Sequence, residues 1–210
     1  MVKVPTIAEK MSVDRYLKRI GYIGPRSPTI EVLRHLHRRH LLSVRFENLG
    51  IHFGKPTVLD EKVFYRKIID DRRGGYCYEL NGCFAWLLKR LGFRVSMLSA
   101  RVASKDGGFS PEFDHMTLLV RMRECWLADV GFGDSFTQPK KLDTADPQKD
   151  EGHFYKVTSS GRNRLVLRRP CKDGSWEPQY AFNLRSHRLA DFAAWNRYQQ
   201  TSPRSPFTQV

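Results

Sequence analysis

The sequence contains no apolar run approaching the roughly 18 residues that a membrane-spanning helix needs, which excludes such a helix. Cysteine is scarce. Cys77, Cys83, Cys125 and Cys171 form no CxxC pair and no close-spaced cluster, which excludes a disulfide scaffold and a thiolate metal site. That usage fits free thiols in a reducing, cytoplasmic setting. No apolar core follows the charged opening residues (Lys3, Glu9, Lys10, Asp14, Arg15, Lys18, Arg19), so a secretory signal is not expected. Internal repeats and low-complexity segments are also missing, which excludes a solenoid and a disordered chain. Acidic residues are outnumbered, 22 against 36 basic, for a net charge of +14. Such an excess favours polyanionic partners, whether nucleic acid, a membrane surface or a phosphorylated small molecule, and serves equally as a solubilising surface.

What is present describes a soluble globular chain. Its 210 residues, 40% hydrophobic and 28% charged, suffice for one domain or two small ones without staples. The first ninety residues read as helical. Ser27 and Pro28 can cap and open a helix carrying Ile30, Leu33, Leu36 and Leu41. Asp60 can cap a second, with Val63, Phe64 and Ile68 on its apolar side. In the third, Leu80, Phe84, Leu87, Leu88 and Leu91 recur at helical spacing, and Gly92 follows as a stop.

After Gly92 the period falls to two. Strands are expected over 95–102, 116–122 and 125–130, then over 154–158 and 165–169 around the turn Ser159-Ser160-Gly161-Arg162-Asn163. Pro178 demotes 176–182 to an edge strand. The polar stretch 138–152 reads as a loop. Closely spaced antiparallel strands suggest a small barrel or curled sheet. From Ser186 a helical pattern returns with Leu189, Phe192 and Trp195, and it must stop before Pro203.

The chemistry concentrates in Arg73-Gly74-Gly75-Tyr76-Cys77-Tyr78-Glu79-Leu80-Asn81. Two glycines allow a sharp entry into the helix, which puts Cys77 in its first turn. Unpaired N–H groups and the positive end of the helix dipole stabilise a thiolate there, the environment of a nucleophile. Cys83 reads as an ordinary core cysteine. A thiolate needs a base and a group that orients the base. His35, His37 and His40 read as part of a solvated basic helix face. His52, His153 and His187 lie in loop-like contexts without a readable acidic partner. His115 opens a strand, and Asp129 ends the next one amid apolar residues, where an unpaired carboxylate is costly. Adjacent antiparallel strands can bring the two together. Cys77, His115 and Asp129 thus have the layout of a thiol acyl-transfer triad, which serves either acyl transfer or amide hydrolysis and crosslinking.

The chain resembles the arylamine N-acetyltransferases. The resemblance rests on Val44-Arg45-Phe46-Glu47-Asn48-Leu49, the Arg73–Asn81 segment, Leu91-Gly92-Phe93 followed by Ala100-Arg101-Val102, His115-Met116, Asp129-Val130-Gly131-Phe132-Gly133, and Trp195-Asn196-Arg197-Tyr198-Gln199-Gln200-Thr201-Ser202-Pro203. It implies that Cys77 is the acetyl-accepting cysteine, with His115 and Asp129 completing the triad. Arg73 and Glu47 match a structural ion pair near the nucleophile. Phe132 and Phe109 match the acceptor pocket. Tyr198 and Arg204 fall where the family contacts coenzyme A, and an arginine there can hold a phosphate.

The implied fold is α+β: an N-terminal helical bundle over 1–93, an antiparallel β-barrel over 94–183, and an interdomain helix with only the start of a third α/β lid domain over 184–210. Family members continue past the Thr-Ser-Pro segment, so a cleft open on one side is expected. The implied reaction moves an acetyl group from acetyl-CoA, as co-substrate, to an arylamine or hydrazine. No metal, no nucleic acid and no membrane enters it. A transglutaminase-like or papain-like thiol enzyme and a basic nucleic-acid-binding module are the rival readings.

Overall fold

The architecture follows from one very apolar helix around which the other elements gather. The computed structural model describes residues 11–209; the opening segment 1–10 and Val210 lie outside the described residues. Helix α1 spans Val13–Arg19 and α2 spans Ile30–Ser43. The short α3, Leu49–His52, is followed by α4, Glu61–Tyr65, which runs on as a π turn over Arg66–Asp70. Helix α5 spans Cys77–Arg90. The cap of α2 is Thr29, whose side chain accepts from Val32 N, two residues later than Ser27. Asp60 caps α4 as its spacing predicts, accepting from Lys62 N and Val63 N.

Every residue of α5 from Cys77 to Leu88 is buried. Tyr16 and Leu17 of α1, Val32, Leu33 and Leu36 of α2, Phe64 of α4 and Ile68 pack around it. Burying a large apolar side chain is worth about 1.5–3 kcal/mol, so this cluster anchors the helical region. The helix ends where Gly92 adopts a φ of +88°, a conformation that glycine takes without strain.

Eight strands follow: β1 Arg94–Val102, β2 His115–Arg121, β3 Cys125–Ala128, β4 Lys140–Lys141, β5 Gln148–Asp150, β6 His153–Ser159, β7 Leu165–Pro170 and β8 Trp176–Phe182. They form one antiparallel sheet in the order β4-β3-β2-β1-β8-β7-β6-β5, which curls until β4 comes against β6, a nearly closed barrel. The alternation of β2 explains the layering. Met116, Leu118 and Val120 face α5, while Leu119 joins Leu98, Leu127, Leu167 and Tyr180 inside the barrel. A 3-10 turn over Leu189–Phe192 then leads into α6, Ala193–Thr201, which ends before Pro203. The α+β class is as expected.

Three expectations need correction. Strand β8 is internal to the sheet, paired with both β7 and β1. Its β1 pairing covers only Tyr180, Ala181 and Phe182, so Pro178 sits where β8 has a partner on one side, next to a register shift in β7. The stretch 138–152 holds β4 and β5, joined by a buried ion pair in which Lys140 Nζ lies 2.5 Å from Asp150 Oδ2. Thirdly, the solvated basic face of α2 carries His35, Arg38 and Arg39 but not the other two histidines: His37 and His40 are fully buried. With Leu33 and Leu36 they occupy positions i, i+3, i+4 and i+7, one continuous face against the core.

Candidate active site

Cys77 sits in the first turn of α5, and the loop before it is held from two sides. Phe46 pairs with Gly75, Glu47 N donates to the Gly75 carbonyl at 2.9 Å, and Arg73 Nη2 lies 2.8 Å from Glu47 Oε1. Glu79 reaches back to accept from Tyr76 N at 3.1 Å, a capping box at the helix entry. Lys67 Nζ bonds both Glu79 carboxylate oxygens, at 2.9 and 2.8 Å. Burial nevertheless raises Glu79 above the usual carboxylate range. The nucleophile candidate therefore stands on a tightly fixed backbone. Cys83 lies deeper in the same helix, and burial drives its thiol well above the ordinary range.

His115 opens β2. Its ring reaches Asp129, which follows β3 directly, and Nε2–H donates to Asp129 Oδ2 at 2.6 Å. Both residues are buried, His115 at 3% exposure and Asp129 at 1%. Burial alone would push the imidazole down, but the Asp129 carboxylate and the nearby Cys77 thiol outweigh it and raise His115 to about 10. Burial would likewise raise Asp129. The His115 charge, Asn81 and the Gly131 N–H prevail and hold it low. The structure thus brings Cys77, His115 and Asp129 into one desolvated cluster.

The backbone before His115 is constrained as well. Phe113 has a φ of +67°, a left-handed conformation that is unusual for a bulky residue. Its N–H donates to Ser99 Oγ at 2.7 Å, and its carbonyl accepts from Tyr78 at 2.5 Å. Asp114 accepts from Trp195 Nε1 at 2.6 Å and Gln199 Nε2 at 2.5 Å, which ties the entry of β2 to α6.

Phe132 lies against the His115 ring, centroids 5.0 Å apart, with Tyr180 packed on both. Phe109 pairs instead as an isolated bridge with Ala103. Tyr198 stacks on Trp195 at 4.5 Å. Arg204 is exposed, with its N–H bonded to Ser202 Oγ. His187 has the acidic neighbour that its sequence context did not reveal, Asp191, 3.7 Å away. Among the described residues no group of three His, Cys, Asp or Glu side chains is placed to hold a metal ion.

Two residues near the cluster were not singled out from sequence. Asn81 donates from Nδ2 to Asp129 Oδ1 at 2.9 Å and to the Met116 carbonyl at 2.7 Å, while its Oδ1 accepts from Val130 N at 2.9 Å. Its spacing of four from Cys77 on one helix face was the available signal. His37 receives the Asp129 backbone N–H at 3.0 Å. Its placement beside Leu33 and Leu36 was the corresponding signal.

This arrangement, a desolvated thiol at a helix start beside a histidine bonded to a buried carboxylate, has the layout that nucleophilic thiol chemistry calls for. The sequence pattern of a family described as N-acetyltransferase matches residues 29–210. The arylamine N-acetyltransferase / N-hydroxyarylamine O-acetyltransferase of Salmonella typhimurium is 35% identical over 182 residues, 86% of this chain and 64% of that protein. The arylamine N-acetyltransferase of Escherichia coli is 32% identical over 197 residues, 93% of this chain and 69% of that protein. The Mycobacterium marinum arylamine N-acetyltransferase, solved in complex with CoA, superposes with a TM-score of 0.87 at 34% identity, covering 94% of this chain and 74% of that one. The chain belongs to the arylamine N-acetyltransferase family, and it spans about two thirds to three quarters of the length of these relatives.

Proposed function

We propose that the protein transfers an acetyl group from acetyl-CoA, through an acetyl-cysteine at Cys77, to the nitrogen of an arylamine or hydrazine. The observation that carries this reading is the 2.6 Å bond between His115 and Asp129 beside the Cys77 thiol at the start of α5. With Nε2 committed to Asp129, Nδ1 is the nitrogen left to face the thiol. Proton transfer from Cys77 to His115 gives a thiolate–imidazolium pair. Asp129 favours the charged ring, and the helix N-terminus favours the thiolate.

The thiolate attacks the thioester carbonyl. The tetrahedral intermediate collapses by breaking the bond to the coenzyme A sulfur, which takes its proton from His115. An amine then attacks the acetyl-cysteine, His115 accepts the amine proton, and the Cys77 thiolate departs to regenerate the pair. Phe132, against the His115 ring, borders the acceptor side, and Phe109 extends that pocket. Tyr198 and Arg204 contact coenzyme A, with Arg204 directed to a phosphate. Arg73 and Glu47 hold the loop that positions Cys77. Residues 1–93 and 94–183 act as the nucleophile-bearing and base-bearing units, and 184–210 supplies an interdomain helix and the start of a third domain.

Turnover tests this directly. Acetyl-CoA consumption should depend on an added arylamine or hydrazine, with no release of ammonia from glutamine and no cleavage of peptide amides. Amide turnover without acetyl transfer would favour a papain-like or transglutaminase-like reading instead.

A further inference from the structure

His37 lies on α2, outside the three residues that do the proposed chemistry, yet it is bonded directly to the backbone of one of them. The ring is fully buried. Nδ1 is 2.8 Å from the Thr137 carbonyl oxygen. A carbonyl only accepts, so Nδ1 carries the proton and Nε2 is bare. The bare nitrogen faces the Asp129 N–H at 3.0 Å and accepts from it. Phe136 stacks on the ring at 5.6 Å with an interplanar angle of 11°, and Phe84 meets its edge at 6.0 Å. Tautomer and orientation are therefore both fixed. Burial lowers His37 to about 4, so the ring stays neutral and keeps its acceptor at physiological pH.

Asp129 needs that acceptor. It follows the last paired residue of β3, so its N–H has no ladder partner. A buried donor left unpaired is destabilising, because it loses its bond to water and gains none in return. The carboxylate is held by other groups: Oδ1 by Asn81 and by the Gly131 N–H at 3.0 Å, Oδ2 by His115. His37 holds the amide of Asp129 itself, and Asn81 holds the next one, Val130 N, so the main chain from which the carboxylate projects is fixed on both sides from the helical region.

We propose that His37 is a positioning residue for the triad, acting through the Asp129 backbone to hold the carboxylate in line with the His115 ring. The proposal rests on the acyl-transfer reading for its consequence in turnover, but not for its effect on thiol reactivity. Glutamine can place an oxygen near the Nε2 position, whereas asparagine reaches only the Nδ1 position. His37→Asn should therefore lose the bond to Asp129, and His37→Gln should keep it.

The test measures alkylation of Cys77 by iodoacetamide across pH 5–9, beside acetyl-CoA turnover, with melting curves on every variant. His37→Asn should slow alkylation near neutral pH, shift its pH profile and lower kcat, by about 10- to 100-fold as expected for a mispositioned catalytic group. The KM for the amine should change little, and His37→Gln should recover most of the loss. If both variants melt lower but keep the wild-type alkylation profile, His37 is structural only and the proposal fails. If the profile shifts as expected while the wild type never accepts acetyl from acetyl-CoA, the positioning role stands and the acetyl-transfer reading fails. Should His37→Asn not fold, the wild type still decides by NMR. A trans-hydrogen-bond coupling between the Asp129 amide nitrogen and His37 Nε2 supports the contact, and an Nε2-protonated ring overturns it.

Discussion

Gly131 presses directly on the backbone of Cys77: a β-carbon built on Gly131 would lie 2.8 Å from the Cys77 Cα and 3.1 Å from its carbonyl oxygen. The same β-carbon would meet Asn81 Nδ2 at 2.8 Å. The first turn of α5 and the residues after Asp129 thus touch where neither side can give way cheaply. Gly131→Ala should displace Cys77, Asn81 or both. A stability loss of about 1–3 kcal/mol is expected for overpacking of this kind. Cys77 alkylation should slow by roughly tenfold or more, since small misplacements of reacting groups are costly. Urea denaturation and the alkylation rate check the two effects. A wild-type rate in Gly131→Ala would show that the contact relaxes without moving the thiol.

The His115–Asp129 pair makes stability depend on pH on the alkaline side. His115 is raised from an ordinary value near 6.5 to about 10. The folded state therefore binds the proton more tightly than the unfolded state. Its contribution is complete below pH 6.5 and is lost as pH rises toward 10. Asp129→Asn should flatten that alkaline decline and bring the His115 titration, followed by NMR, down toward the ordinary range. An unchanged His115 titration in Asp129→Asn would remove the carboxylate as its cause.

His37 and His40 act in the opposite direction at low pH. Burial lowers them from 6.5 to about 4 and about 3, so the unfolded state takes up protons first. Stability should fall as pH drops below 6.5, with the loss continuing to the folded values. Asp129, Asp150 and Lys140 also act on His37, the carboxylates raising it and the lysine lowering it. His40 bonds Tyr16 through Nδ1 at 2.9 Å. His40→Leu should be less stable at neutral pH, yet show a shallower acid slope in a series of denaturation curves. A slope as steep as the wild type would assign the acid sensitivity to other groups.

Much of this was legible in the sequence, and the exceptions have physical causes. The α5 pattern, the glycine entry to Cys77 and the pairing of His115 with Asp129 are local or nearest-neighbour features, which periodicity and strand adjacency express directly. The 138–152 segment is different. Its order depends on Lys140 and Asp150, each of which looks solvated until the other is placed beside it. Histidine is ambiguous in the same way. His35, His37 and His40 share a composition that suggests a wet face; the barrel loop with Thr137 and Asp129 makes His37 a core residue, and Tyr16 and Phe84 make His40 one. Pro178 read as an edge marker correctly in a local sense, since the strand has one partner at that point, but β8 as a whole is internal.

The Lys140–Asp150 pair is nearly inaccessible, and Asp150 also accepts from Thr137 N and Gln138 N at 3.0 Å each. Lys140→Met removes one partner and leaves a buried carboxylate, so a loss of about 3–5 kcal/mol is expected. Because Thr137 also holds His37 through its carbonyl, Cys77 alkylation should slow in the same variant. Denaturant midpoints and alkylation rates read both. A neutral effect on stability would mean that Asp150 is protonated or solvated in the variant.

The most direct test is the intact mass of the protein after mixing with acetyl-CoA in the absence of amine. One acetyl group should appear, located at Cys77 by peptide mapping, and it should leave when an arylamine or hydrazine is added. Cys77→Ser should stay unmodified under the same conditions, and Cys83→Ser should acetylate like the wild type. Acetylation persisting in Cys77→Ser, or no mass change in the wild type, would contradict Cys77 as the acetyl carrier.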